Sequence, residues 1–216
     1  MKKRTPEELG TAPISSLLLS YALPAIIAMM ASSLYNIIDR VFIGQGVGPL
    51  AISGLALTFP IMNLSTAFGA LIGAGGSTLV SIKMGQEDIW GAKQVLGNVI
   101  ILNVILGTIF MIVGLVFIDE ILFLFGASND TLPYARDFMQ IILLGNVFTH
   151  LYFGLNSVMR SSGYPQKAMY ATIFTVLINL ILAPIFIFVL EWGIRGAALA
   201  TVIAQLCSLI WILSHF

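Results

Sequence analysis

Apolar residues run in six long stretches that are almost free of charge, and the polar residues gather in short segments between them. No Asp, Glu, Lys or Arg stands between Thr11 and Ile38, Val41 and Ile82, Gln94 and Ile118, Phe138 and Met159, Ala168 and Leu190, or from Gly196 to Phe216. About 20 apolar residues carry a helix across roughly 30 Å of hydrocarbon. A helix also satisfies its own backbone there, where water cannot. The pattern predicts an all-α fold, a polytopic transmembrane bundle of six spans over approximately 15–43, 51–84, 92–118, 133–159, 166–190 and 196–212. Gly44, Gly46, Gly48 and Pro49 stop the first span. A short amphipathic piece, Ile121–Phe125, and the hydrophilic loop Gly126–Thr131 separate the third from the fourth.

Composition removes several alternatives. Charged residues are 9% of the chain and hydrophobic ones 58%, against a charged share of about 25% in soluble domains. The net charge is zero and the one basic cluster is Lys2, Lys3 and Arg4, which excludes nucleic acid as a partner. Cys207 is the single cysteine, so no disulfide forms within the chain. The first apolar run lacks a small-residue cleavage pattern and reads as a retained span rather than a signal peptide. HExxH, CxxC and Walker-type motifs are absent. A transported ligand is expected rather than an enzymatic reaction, with no catalytic residue, metal centre or cofactor.

Lysines and arginines give the orientation. With a cytoplasmic N-terminus, Lys2, Lys3, Arg4, Lys83, Lys93, Arg160 and Lys167 lie inside, and Arg40, Arg136 and Arg195 outside, seven against three. The expected location is the plasma membrane, with lipid around the bundle. The sixth span reaches the last residue, so the chain is expected to be a fragment or one lobe of a larger transporter.

Polar residues inside the spans carry the candidate chemistry. A carboxylate at the centre of a membrane helix costs about 2.5–3.5 kcal/mol on insertion scales, and such residues are functional by default. Asp39 is the carboxylate within a span here, one turn before the glycine stop and so in the outer part of the bilayer rather than at its midplane. Ser32, Tyr35 and Asn36 precede it by seven, four and three positions, which places all four on one helix face. The seam reads as a protonatable or cation-binding site; the alternative is that Asp39 and Arg40 mark the helix end at the interface. A second seam holds Asn146, Thr149, His150 and Ser157, flanked by Asn156. His150 titrates near neutrality in isolation and is either a proton carrier or a neutral histidine bonded to a neighbouring helix. A third holds Thr172, Thr175 and Asn179. Pro24, Pro60 and Pro184 lie within spans and are expected to kink them. Gly69, Gly73, Gly75 and Gly76 read as close helix packing, not a nucleotide motif. Glu87 and Asp88 suit the positive end of the next helix. Phe59, Phe68, Phe148, Phe153 and Phe174, with Met62 and Met159, are candidates for a greasy cleft, though lipid-facing side chains look the same.

Five stretches in order resemble the multidrug and toxic compound extrusion (MATE) family, in its N-terminal lobe. They are Leu34–Gly44 (LYNIIDRVFIG), Gly75–Gly85 (GGSTLVSIKMG), Met159–Met169 (MRSSGYPQKAM), Asn179–Ile187 (NLILAPIFI) and Gly193–Thr201 (GIRGAALAT). The resemblance implies one lobe, residues 1–216, of a twelve-helix transporter whose C-terminal lobe is missing from this chain. It implies export of small organic, cationic or amphiphilic drugs and xenobiotics by antiport with H⁺ or Na⁺. Asp39 matches the family's first-helix aspartate used in cation coupling, with Asn36 beside it, and Asn179 matches its fifth-helix asparagine; Na⁺ at Asp39 is one implied state. The family's common Asn-x-x-x-Asp-Pro stands here as Asn179-Leu-Ile-Leu-Ala183-Pro184. Coupling would then rest on Asp39 alone in this lobe, which inclines the expectation to H⁺. Two other functions stay open: a lipid-linked-precursor flippase or polysaccharide exporter of the wider superfamily, and a non-transporting membrane scaffold.

Overall fold

A computed structural model describes residues 13–215. Lys2, Lys3 and Arg4, used above for orientation, lie outside the described residues. Eight α-helices follow one another: α1 Ile14–Gly46, α2 Pro49–Gly85, α3 Ile89–Val116, α4 Ile118–Leu124, α5 Leu132–Leu144, α6 Asn146–Ser161, α7 Pro165–Pro184 and α8 Gly193–Leu213. A π-helical turn, Ile185–Val189, continues α7. Five helical segments are long and apolar enough to cross a membrane, and the bent pair α5–α6 makes a sixth. The fold is a polytopic helical bundle, and no strand occurs among the described residues. The end bearing the turns at 47–48 and 190–192 is called the upper end below; the turns at 86–88 and 162–164 mark the lower end.

The ends of the helices follow from local chemistry. At the upper end the Val47 N–H returns to the Ile43 carbonyl at 2.9 Å, and Gly48 takes φ 116°, which a side chain would resist. Pro49 then opens α2, where its missing N–H costs nothing. At the lower end Asp88 caps α3 by accepting the Gly91 N–H at 2.8 Å and pairs with Lys83 at 2.9 Å. The Lys83 bond and the Gly91 N–H hold its carboxyl below the usual range.

The three prolines within spans sit differently in their helices. The helix runs on through Pro24 in α1 and Pro60 in α2. Only at Pro184 does the helical pattern change, into the π turn closed by the Leu190 N–H on the Ile185 carbonyl at 2.9 Å. The sharp bend of 58° lies between α5 and α6, at Gly145, where no proline stands. Val202 of α8 occupies the space a Gly145 side chain would need.

Two packing modes hold the bundle. On one side α6 lies in the groove between α2 and α3. A Cβ at Gly73 would sit 3.0 Å from the Gly154 Cα, and one at Gly107 would sit 3.0 Å from the Val147 Cα, so backbones approach closely there. Small residues permit such contact where lipid offers no hydrophobic drive. On the other side α1 lies along α7, with α8 behind both and slight contact with α2. The upper apolar core gathers Ile43, Ala51, Phe138, Ala183, Ile187 and Ala197. The lower core gathers Tyr152, Leu155, Met159, Ala171, Leu209 and Ile212. Between the two sides a cavity remains.

Candidate functional site: a polar cavity between two helix layers

The cavity measures about 530 Å³ and is lined from α1, α2, α5, α6, α7 and α8. Its upper part is built by α1. Ser32, Tyr35, Asn36 and Asp39 all line it, as their shared helix face requires. Asp39 is 7% exposed, and its Oδ1 has no hydrogen-bond donor. Arg40 also borders the cavity, with its guanidinium 5.4 Å from the centre of the Phe59 ring. Asn36 is exposed and spends its amide on the Ser32 carbonyl at 2.7 Å, so it borders the cavity without joining the buried bonds.

Opposite α1, a hydroxyl cluster ties three helices. Asn179 Nδ2 on α7 donates to Thr201 Oγ1 on α8 at 3.0 Å, with the Tyr35 hydroxyl at 3.4 Å. Tyr35 and Thr201 lie 3.0 Å apart. Thr201 gives its own proton to the Ala197 carbonyl at 3.1 Å, so Tyr35 donates to it. These bonds consume donors and leave acceptors. Asn179 Oδ1 is buried with no donor, as is Asp39 Oδ1. Two buried oxygens without donors on neighbouring walls form a place where a proton or a cation lowers the energy.

The second expected seam splits in two. Asn146, Thr149 and Asn156 line the cavity. His150, which shares their seam in the sequence, does not: it is fully buried where α6 meets α2. Ser65 Oγ donates to Asn146 Oδ1 at 2.7 Å and lies 3.0 Å from His150 Nε2. With its hydrogen committed, Ser65 accepts from the imidazole, which makes Nε2 the protonated nitrogen. Asn146 Nδ2 continues the chain to the Gly107 carbonyl at 3.2 Å. Ser157 packs against Gly73, on the same side as His150. The broad polar face of α6 straddles two interfaces, and its halves separate by helical angle.

The third seam lines the cavity with Thr172, Thr175 and Asn179. Tyr152 donates to Thr172 at 3.4 Å and Thr175 to Ser208 at 2.7 Å. Thr149 donates to Gln205 across α6 and α8. Sequence reasoning missed the α8 contribution, although Thr201, Gln205 and Ser208 stand at i, i+4 and i+7 in an apolar span, the same spacing that marked the other seams. Of the greasy candidates, Phe59, Met62 and Phe153 line the cavity. Met159 belongs to the core, while Phe68, Phe148 and Phe174 are exposed on the outside of the bundle. Arg40 and Arg160, at span ends, also border the cavity. Ala183, at the aspartate position of the Asn-x-x-x-Asp-Pro pattern, is fully buried in apolar surroundings.

Comparison with known proteins agrees with this architecture. The MatE family model matches residues 24–185. The multidrug export protein MepA of Staphylococcus haemolyticus is 34% identical over 199 residues, covering 92% of this chain and 44% of that protein. MepA of Staphylococcus aureus is 30% identical, covering 95% and 46%. The chain thus spans about half the length of the curated relatives it matches. Among solved structures, the outward-facing conformation of a multidrug resistance MATE family transporter of the MOP superfamily superposes with a TM-score of 0.90 at 28% identity. That match covers 98% of this chain and 47% of the other. With six apolar segments in this order, a polar cavity between two helix layers and a match over three quarters of its length, the chain belongs to the MATE family of transporters.

Proposed function

We propose that the chain forms one six-helix lobe of a secondary active exporter, which moves cationic or amphiphilic drugs and xenobiotics out of the cell in exchange for H⁺ or Na⁺. A second lobe would face the cavity and complete the path. The basic residues favour a cytoplasmic N-terminus in the plasma membrane, which makes the upper end external. The observation that carries this reading is the pair of buried acceptors, Asp39 Oδ1 and Asn179 Oδ1, on the wall of a cavity large enough for a small organic molecule.

Binding a proton or sodium ion at Asp39 compensates a desolvated carboxylate and favours a different packing of α1 against α7 and α8; a ligand shifts that equilibrium only by its differential affinity for the two states. The lone carboxylate favours H⁺ over Na⁺. Arg40 and Arg160 at the cavity keep a second reading open, a flippase or exporter of lipid-linked anionic precursors. The test is transport by the full-length protein in liposomes with pH and sodium gradients imposed separately. Asp39→Asn is expected to fold and to lose ion-driven efflux. Unchanged efflux in that variant sinks the coupling role, and response to neither gradient in the wild type sinks antiport.

A further inference from the structure

Arg160 stands in the last turn of α6, half-buried, and borders the lower part of the cavity. One of its nitrogens donates to Asn156 Oδ1 at 3.3 Å, and Asn156 Nδ2 donates in turn to the Ala168 carbonyl at 3.0 Å. Its partner is therefore neutral. The ion pairs among the described residues, Lys83–Asp88, Arg136–Asp119 and Arg195–Asp137, leave Arg160 out. A guanidinium offers five N–H donors in a planar fork that suits a carboxylate or phosphate, and the bond from Arg160 to Asn156 uses one of them. The Tyr152 and Thr172 hydroxyls border the cavity on the same side.

The upper part of the cavity differs: Arg40 at its edge lies over the Phe59 ring. There the unpartnered groups are acceptors, on Asp39 and Asn179. The two levels are fixed along α7 by hydrogen bonds: Asn156 meets Ala168, and the Tyr35–Thr201 cluster meets Asn179. Eleven residues separate Ala168 from Asn179, roughly 16 Å of helix at about 1.5 Å per residue. Met62, Phe153 and Val176 supply apolar lining.

We propose that the lower half of this cavity is a subsite for an acidic group, anchored by Arg160, so that the preferred substrates are elongated amphiphiles carrying a carboxylate or phosphate at one end and an amine at the other. The proposal rests on reading the cavity as the transport site. A purely interfacial arginine, extended toward headgroups, would show no preference for an acid in the cavity.

The experiment measures binding to the purified full-length protein by calorimetry, with two rigid rod-like probes: 4′-(aminomethyl)biphenyl-4-carboxylic acid and its methyl ester. The acid is expected to bind at least about ten-fold tighter, the difference a charge-assisted bidentate bond supplies. Arg160→Gln should weaken the acid until the two probes match and leave the ester unchanged. Arg160→Lys, which keeps the charge and loses the fork, should keep part of the difference. Arg136→Gln, at an exposed pair outside the cavity, should keep all of it. Equal binding of acid and ester by the wild type, a difference that survives Arg160→Gln, or binding of neither probe overturns the subsite. Efflux by the Asp39→Asn protein decides the coupling reading separately, since it does not depend on either probe.

Discussion

The hydroxyl of Tyr35 on α1 lies 3.0 Å from that of Thr201 on α8, and Asn179 on α7 donates toward both. One cluster therefore fixes α1 against the two helices behind it, one turn below Asp39. Tyr35→Phe and Thr201→Val should each lower stability, and the double variant should lose less than the sum. Interhelical hydrogen bonds in membrane proteins average about 0.6 kcal/mol and reach about 1.7 in double-mutant cycles. A coupling in that range from thermal unfolding in detergent is expected; strict additivity would show that the pair is not an energetic unit.

Gly73 marks a close approach of α2 and α6. A Cβ there meets the Gly154 Cα at 3.0 Å and the Ser157 Cβ at 3.1 Å, and neither can move aside by rotating a flexible side chain. Gly73→Ala is expected to destabilise by about 1–3 kcal/mol, the usual cost of overpacking. Gly75→Ala, two residues on and facing open space, should have little effect. Equal melting temperatures for the two variants would contradict this packing.

At the lower turn, Lys83 and the Gly91 N–H depress the Asp88 carboxyl. A group with a lowered pKa in the folded state contributes stability above its unfolded pKa, and that contribution disappears as pH falls through the folded value. Stability should thus decline on acidification below the ordinary aspartate range, near pH 4. Asp88→Asn should remove that part of the pH dependence while retaining a cap of similar strength. Melting curves from pH 7 downward, with and without the substitution, check the sign.

His150 acts within the helix core. Its Nε2–H satisfies Ser65, which in turn satisfies Asn146. His150→Leu should cost about 1–3 kcal/mol by leaving buried polar groups unpaired. The pH profile of efflux by the full-length protein should keep its shape, because the imidazole does not border the cavity. A shifted profile would return His150 to a proton-carrying role.

Much of this architecture was legible because hydrocarbon imposes a simple rule on sequence: long, uncharged helices separated by polar turns. Asp39, Tyr35, Thr172, Thr175 and Asn179 were legible for a related reason, as polar groups at helical spacing in apolar surroundings. What sequence could not supply was the partner of each face. His150 and Thr149 are neighbours on α6, and only the position of α2 decides that one is core and the other cavity lining. Phe174 and Phe153 have the same chemistry, yet one faces outward and the other inward; apolarity does not distinguish lipid from a greasy cleft. The Gly145 bend was missed because glycine permits a bend without requiring one, and the deciding contact, Val202, is more than fifty residues away. The α8 stripe of Thr201, Gln205 and Ser208 was readable by the same spacing and overlooked.

The break at Gly145 also bears on how the fourth span fits its solvent. The 13 residues of α5 and 16 of α6 would make a straight rod of about 44 Å at about 1.5 Å per residue, well beyond the roughly 30 Å of a hydrocarbon core. With α6 upright and α5 inclined by 58°, the pair reaches only about 34 Å along the membrane normal. The elbow stores about 10 Å of surplus rod within one bilayer. Its angle is the coordinate on which a thicker or thinner membrane would pull, and α5 and α6 supply Phe138, Asn146 and Arg160 to the cavity, so a change of that angle would change the cavity's shape.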